Sequence, residues 1–259
     1  MSISAIDEPS PVVAANLESR SEFVIIVDHG GRLIPRRLGD LGLPDRELGR
    51  HIAWDIGAQA VAESLAAKLE APMIAQAYSR LVIDCNRDPE VASSIPPVSE
   101  YTEIPGNASL TAEEVAARRR EIFDPYHGAI GMLLDRRRDQ GLRTILVAQH
   151  SMTDLYKGER REMHAAILYN RDPRFAVLLR DILLQEEGLI VADNQPYFLS
   201  DLTDYSIPHH GERRGLPHVE IEIRQDLISS PAGQREWGAR LALALRRAAD
   251  QFWIANPSD

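Results

Sequence analysis

The chain of 259 residues contains a single cysteine, Cys85. That excludes an internal disulfide framework and fits a reducing compartment, with a cytoplasmic location as the expectation. Long apolar runs are missing as well: none approaches the roughly 20 residues needed to cross a bilayer, so no membrane span is expected. Residues 1–22, MSISAIDEPSPVVAANLESRSE, lack a basic region followed by an apolar one, and no signal peptide is read there. Positive charge is in deficit, with 29 Lys and Arg against 39 Asp and Glu and a net charge of −10. Phosphate binding needs a basic surface, so nucleic acid is not an expected partner. The runs Arg118-Arg119-Arg120 and Arg136-Arg137-Arg138 stand in helical sequence beside acids and read as solvated helix faces. No internal repeat or low-complexity linker is present.

At 44% hydrophobic and 26% charged, the composition is that of a globular protein. Its length suits one core, so residues 1–259 are read as a single domain, with 1–21 as a loose or docking arm. FVIIV, PMIAQAY, RLVID, RTILVAQ, HAAILYN, LIVADN and HVEIEIR read as strands. The segment PDRELGRHIAWDIGAQAVAESLAAKLE predicts one helix, capped by Asp45, with Leu48, Ile52, Ile56, Ala60 and Leu65 as its buried stripe. TAEE at 111–114 is a capping box opening a long helix interrupted near Asp124-Pro125. PRFAVLLRDILLQEEG predicts a helix ending at Gly188, and Ser230-Pro231 starts a last one. Alternating strands and helices predict a three-layer α/β/α fold with a central mixed, mostly parallel sheet. In such sheets the ligand site lies beyond the carboxyl ends of the strands.

Several strands end in chemically useful residues. FVIIV runs into Asp28-His29-Gly30-Gly31, RLVID into Cys85-Asn86-Arg87, ILVAQ into His150-Ser151, and the last strand carries Glu222 and ends in Arg224. His29 and His150 are the two histidines that follow apolar strands, and neutral imidazoles bind zinc well. Asp55, one turn after His51 on the expected helix, is either a third ligand or a helix salt-bridge partner. Arg80, Asn86 and Arg87 suit a small anion, because guanidinium forks grip carboxylates; the alternative is an Asp84–Arg87 pair inside the protein. Glu222 and Glu220 share a strand face, and one of them near a metal site could serve as acid and base.

The sequences DHGGRLIP, HIAWDIGA, SRLVIDCNRDP, AQHS and HHGERRGLPHVEIEIR, in this order over residues 22–228, resemble the N-formylglutamate amidohydrolase family. That resemblance implies a zinc-carboxypeptidase-like architecture and a Zn2+ ion, one divalent metal, held by His29, Asp55 and His150. It implies Glu222 as acid/base, Arg80 as the arginine that stabilises the oxyanion, and Asn86 with Arg87 as the grip on a substrate carboxylate. The expected function is zinc-dependent hydrolysis of the amide of a small anionic N-acyl amino acid such as N-formylglutamate. Arg224, or more weakly Arg171, would meet a side-chain carboxylate, and His209 would contact substrate; His127, His164 and His218 are read as structural. Two other readings stay open: a cysteine amidase using Cys85, and a non-catalytic binder of acidic metabolites. The acyl group, the amino acid, the metal and the oligomeric state are not read from the sequence.

Overall fold

The computed structural model describes residues 2–3 and 7–257. Along the chain run β1 (Val12–Ala15), β2 (Phe23–Val27), α1 (Asp45–Leu48), α2 (Ala58–Leu69), β3 (Met73–Gln76), β4 (Val98–Ser99), β5 (Thr102–Glu103), α3 (Ala112–Arg118) and α4 (Asp124–Asp139). They are followed by β6 (Ile145–Met152), β7 (Leu155–Tyr156), β8 (Glu159–Arg160), β9 (Ala165–Leu168), α5 (Arg174–Leu183), β10 (Val191–Asp193), β11 (His218–Arg224) and α6 (Pro231–Ala255). Seven strands form one sheet in the order β1-β3-β2-β6-β11-β9-β10. Its pairings are parallel except β1–β3 and β9–β11. The mixed, mostly parallel sheet between helices is as predicted.

Alternation along the strands sorts side chains onto two faces. Ile25, Val27, Val147, Val219, Ile221 and Ile223 meet α2, α5 and α6 on one face, where Leu65, Leu179, Leu241 and Phe252 are fully buried. Val24, Ile26, Ile74 and Leu146 meet α3, α4 and the connections on the other, with Tyr126, Ile130 and Leu134. α2 buries Ala58, Val61, Ala62, Leu65, Ala66 and Leu69, the spacing of a single helix stripe. The capping box at Thr111 and Glu114 forms in both directions, and Ser230 accepts from Gly233 N–H at the start of α6. The interruption near Asp124-Pro125 is a π-helical turn over Arg119–Phe123, which joins α3 to α4 without ending the helix.

The fold departs from the sequence reading at several places. The expected 27-residue helix is two, Asp45–Leu48 and Ala58–Leu69, with residues 49–57 outside either; the second starts from Gly57 (φ 79°) in the left-handed region, where a Cβ would sit 2.2 Å from the Ile228 carbonyl oxygen. Asp45 does not cap α1, whose N-cap is Pro44. RLVID is not a strand. Leu81, Val82 and Ile83 are buried in a turn, and side chains satisfy the carbonyls that a neighbouring strand would otherwise pair: Asn107 Nδ2 donates to Leu81 O at 2.9 Å and Arg118 Nη1 to Val82 O at 2.9 Å. Arg118 and Arg137, expected in solvent, are each 1% exposed. Arg118 also binds Asn107 Oδ1 and Gly106 O, and Arg137 binds Ser19 O, Arg143 O and Thr144 Oγ1. These guanidiniums staple loops whose carbonyls lack a ladder. Within the arm expected at 1–21, Val12–Ala15 forms an edge strand of the sheet; positions 1 and 4–6 lie outside the described residues.

Candidate metal centre and its cavity

β2, β6 and β11 are neighbours, with β6 parallel to both of the others. Their carboxyl ends therefore open on one edge of the sheet. β2 delivers Asp28 and His29, β6 delivers His150, and β11 delivers Glu222, which stands opposite His150 in the register. Because Val219, Ile221 and Ile223 face the α2–α6 side, Glu220 and Glu222 turn to the other face. Asp55 lies in the turn before α2 rather than on a helix, and its backbone N–H donates to His29 O at 2.9 Å. That bond fixes the turn against the end of β2. Gly31 allows the same region to close up, since a Cβ there would overlap the Ala77 backbone at 1.9 Å.

Residues far apart in sequence thus converge. His29 Nδ1 lies 3.4 Å and His150 Nδ1 2.9 Å from Asp55 Oδ2, and the imidazole centroids are 5.0 Å apart. One ligand atom from each of His29, Asp55 and His150 can be chosen so that all lie within 4.8 Å of one another. The far nitrogens are anchored: His29 Nε2 to Asp84 Oδ1 at 2.7 Å, and His150 Nε2 to Asp28 Oδ2 at 3.1 Å. Asp28 in turn accepts from Tyr126 Oη at 2.9 Å and Ser206 Oγ at 2.6 Å. Carboxylates behind both histidines are the arrangement that orients metal-binding imidazoles. His29 Nδ1 is buried without a hydrogen-bond partner. An orphaned lone pair aimed at a carboxylate and a second imidazole fits a divalent cation, and the N,N,O set suits zinc.

Electrostatics agree with the geometry. Burial works against charge on every member, yet the imidazolium–carboxylate attraction prevails for Asp28 and Asp55, whose carboxyls are held below the usual range. Asp84 is held well below it, with Arg80 as its strongest ally. Against the desolvation that burial imposes, surrounding acids push His29 up and His150 well up. The carboxylates thus favour positive charge at the imidazoles. Glu222 behaves differently: burial and the Asp55 charge raise it to about 7, and its Oε2 is buried without a partner.

The cluster floors a cavity of about 530 Å³ also lined by Arg80, Asn86, Arg87, Glu220 and Glu222, a volume suited to a small ligand. Arg80 grips Asp84 through Nε at 3.0 Å and Nη2 at 2.5 Å, with Nη1 3.5 Å from Asp55 Oδ1. The internal partner of Asp84 is therefore Arg80, not Arg87. Arg87 lines the cavity, and the hydrogen bond its guanidinium shows is to the Thr203 carbonyl. Asn86 is fully engaged: Nδ2 donates to Asp204 and Glu220, and Oδ1 accepts from Tyr205 N–H and Ser206 N–H. It ties the 204–206 segment to the cavity floor.

Other expectations do not fit the cavity. Arg224 is not part of its lining; its guanidinium donates to the carbonyls of Arg161, Glu162 and Met163 and to Asp226, because the end of β11 must hold that loop. His209 stacks on Tyr205 at 4.6 Å, outside the lining. Arg171 is exposed and paired with Asp201 and Glu212. Cys85 is fully buried, and burial pushes its thiol well up; His127 meets the Cys85 carbonyl rather than the sulfur, so no base serves a cysteine nucleophile. His127 bonds His210, His164 accepts from Ile190 N–H, and His218 bonds the Leu216 carbonyl. The sequence reading overlooked the roles of Asp28 and Asp84 behind the imidazoles. Each stands at an apolar run's end beside a polar cluster, the same signal that singled out His29.

Fold and site together define an α/β protein with a cavity at the carboxyl edge of its sheet and, on its floor, a buried ligand set suited to a divalent ion. The family model for N-formylglutamate amidohydrolase matches residues 21–229, and the chain belongs to that amidohydrolase family. Among solved structures it is similar to a gene product from Agrobacterium tumefaciens, with 33% identity over 96% of this chain and 98% of that one and a TM-score of 0.93. It is also similar in fold to an N-formylglutamate amidohydrolase from Ralstonia eutropha JMP134, with 21% identity over 93% of this chain and 98% of that one and a TM-score of 0.68. No curated protein sequence matches the chain. No helix among the described residues is long and apolar enough to cross a membrane.

Proposed function

We propose that the protein hydrolyses the amide bond of a small anionic N-acyl amino acid of the N-formylglutamate type, using one divalent ion, zinc, held by His29, Asp55 and His150. The observation that carries this reading is the convergence of those three side chains, each imidazole backed by a carboxylate, beside a glutamate raised to about 7. The bound ion would supply Lewis acidity, polarising the acyl oxygen and easing deprotonation of water.

The chain's own residues do the rest. Glu222 Oε2 takes the proton of the attacking water as its oxygen bonds the acyl carbon. A carboxyl poised near neutrality then returns that proton to the leaving amine nitrogen as the C–N bond breaks. Arg80, held rigid by Asp84, places positive charge where the acyl oxygen becomes negative. Arg87 takes the α-carboxylate and so fixes the direction in which the amide enters. Asn86 acts by fixing the 204–206 segment.

The test is hydrolysis of a panel of N-formyl and N-acetyl amino acids, before and after chelation and after zinc is restored. The reading expects turnover that chelation abolishes and zinc returns. Ligand binding without turnover of any member would favour the non-catalytic binder.

A further inference from the structure

Four apolar side chains stand in the open on the wall of the cavity: Val98 in β4, Tyr156 in β7, and Tyr197 and Phe198 in the connection after β10. Phe198 is 66% exposed, although Leu199 beside it is fully buried. Exposed apolar side chains gathered at a cavity mark a surface that a ligand covers. The segments that carry them are tied together. Lys157 N–H donates to Glu100 Oε1 at 3.4 Å, which joins the β7–β8 turn to the β4–β5 turn. The Arg161 guanidinium, itself outside the lining, lies 5.1 Å from the Tyr156 ring centroid and 4.8 Å from that of Tyr197, and braces both rings from behind.

Charge is spread unevenly over the same wall. Arg80 is occupied by Asp84 and Asp55. That leaves Arg87 as the lining guanidinium with no carboxylate within salt-bridge distance among the described residues. Away from the His29, Asp55 and His150 cluster the lining adds the acids Glu100, Asp204 and Glu220. One substrate carboxylate therefore finds a partner. A second would face apolar side chains or another acid, and a desolvated carboxylate without a cation is costly. Thr203 sets the free guanidinium beside the apolar rim: its carbonyl accepts from Arg87, and its hydroxyl donates to Phe198 O at 3.3 Å. In an amino acid the α-carboxylate and the side chain leave the same carbon. A substrate whose α-carboxylate meets Arg87 thus turns its side chain toward Phe198 and Tyr197. We propose that this side chain is apolar: the cavity takes N-acyl derivatives of phenylalanine-like or leucine-like amino acids, and Phe198 and Tyr197 select them over acidic ones. This inference rests on the hydrolytic reading above, keeps its chemistry, and changes the side chain that the substrate carries.

The experiment compares kcat/KM of the zinc-loaded enzyme on N-formylphenylalanine, N-formylalanine and N-formylglutamate, in the wild type, Phe198→Ala and Phe198→Arg. The wild type is expected to prefer N-formylphenylalanine to each of the others by about 10-fold or more. Phe198→Ala should cut the phenylalanine-to-alanine ratio about 10-fold. Phe198→Arg, which supplies a second cation beside Arg87, should swing the glutamate-to-phenylalanine ratio toward glutamate by about 10-fold or more. A wild type that prefers N-formylglutamate would overturn the proposal, and that arm needs no variant to fold. A phenylalanine preference left whole by Phe198→Ala would overturn it too. So would a wild type that ignores the side chain but favours N-benzoylalanine over N-formylalanine, since the apolar group would then belong to the acyl half. These outcomes sink only this inference, whereas no turnover of any N-acyl amino acid sinks the hydrolytic reading and this one with it.

Discussion

Two pairs of buried histidines sit on the same side of the sheet with nearly equal ring separations and opposite electrostatics. His29 and His150, 5.0 Å apart, are ringed by Asp28, Asp55 and Asp84. His127 and His210, 5.2 Å apart and stacked, touch each other and a carbonyl. In the second pair burial dominates, with Asp28 pulling the other way on both rings. His127 Nε2 must donate to Cys85 O, so its Nδ1 accepts from His210 Nε2, and both rings are neutral. Burial lowers His127 to about 4, and burial with the neighbouring His127 lowers His210 to about 2. The first pair suffers the same desolvation and is nevertheless pushed up, because carboxylates outweigh it. What distinguishes the ligand set proposed for a cation is the acids around its imidazoles; histidines packed together lack them.

The comparison breaks most sharply at the chemistry. Glu222→Gln should lose about 10²- to 10⁴-fold in kcat while metal content stays as in the wild type, measured by steady-state kinetics beside elemental analysis. Undiminished kcat would remove Glu222 from the mechanism. Next come the anchoring acids. Asp84→Asn, which frees both His29 and Arg80, should weaken metal affinity about 10- to 100-fold in a competition titration with a chelator. An unchanged affinity would mean that the carboxylate does not orient the ligand.

The neutral pair is sharpened by acid. Its folded pKa values lie below the ordinary 6.5, so the unfolded chain binds the protons first as pH falls. Stability is whole above about 6.5. It is lost below that at about 1.4 kcal/mol per unit for each histidine, down to about pH 4 for His127. Glu222, raised to about 7, contributes with the opposite sign over this range, so the slope is read as the difference in urea midpoint between wild type and His127→Gln; a difference that does not change between pH 6.5 and 4 would contradict the assignment. The smallest expected effect is at Cys85. Cys85→Ala should keep activity within about 3-fold, and the native thiol should resist iodoacetamide until the protein unfolds.

What the sequence made legible, and what it hid, follows from where hydrogen bonds go. His29, His150 and Glu222 were readable because each ends or occupies an apolar strand, and strand ends share an edge in a parallel sheet. Spacing left Asp55 between a third ligand and a helix salt-bridge partner, and the family resemblance alone favoured the ligand. The helical periodicity running through it was misleading, since Gly57 turns the chain against Ile228. Leu81–Ile83 looked like a strand because it is as apolar and as buried as one, but Asn107 and Arg118 take the place of a neighbouring strand. The same arginine chemistry hid Arg118 and Arg137, whose neighbours in sequence are solvated, and sent Arg224 to three loop carbonyls instead of a ligand. A guanidinium's destination depends on which carbonyls the fold leaves unpaired, and that is a tertiary fact.

Metal stoichiometry across the two histidine pairs tests the central claim most directly. Elemental analysis of purified wild type, His150→Ala and His127→Ala is expected to find a single divalent ion per chain in the wild type and in His127→Ala, and none in His150→Ala. Full amidohydrolase activity in a wild type stripped of metal, or an ion that departs with His127 and stays without His150, would contradict it.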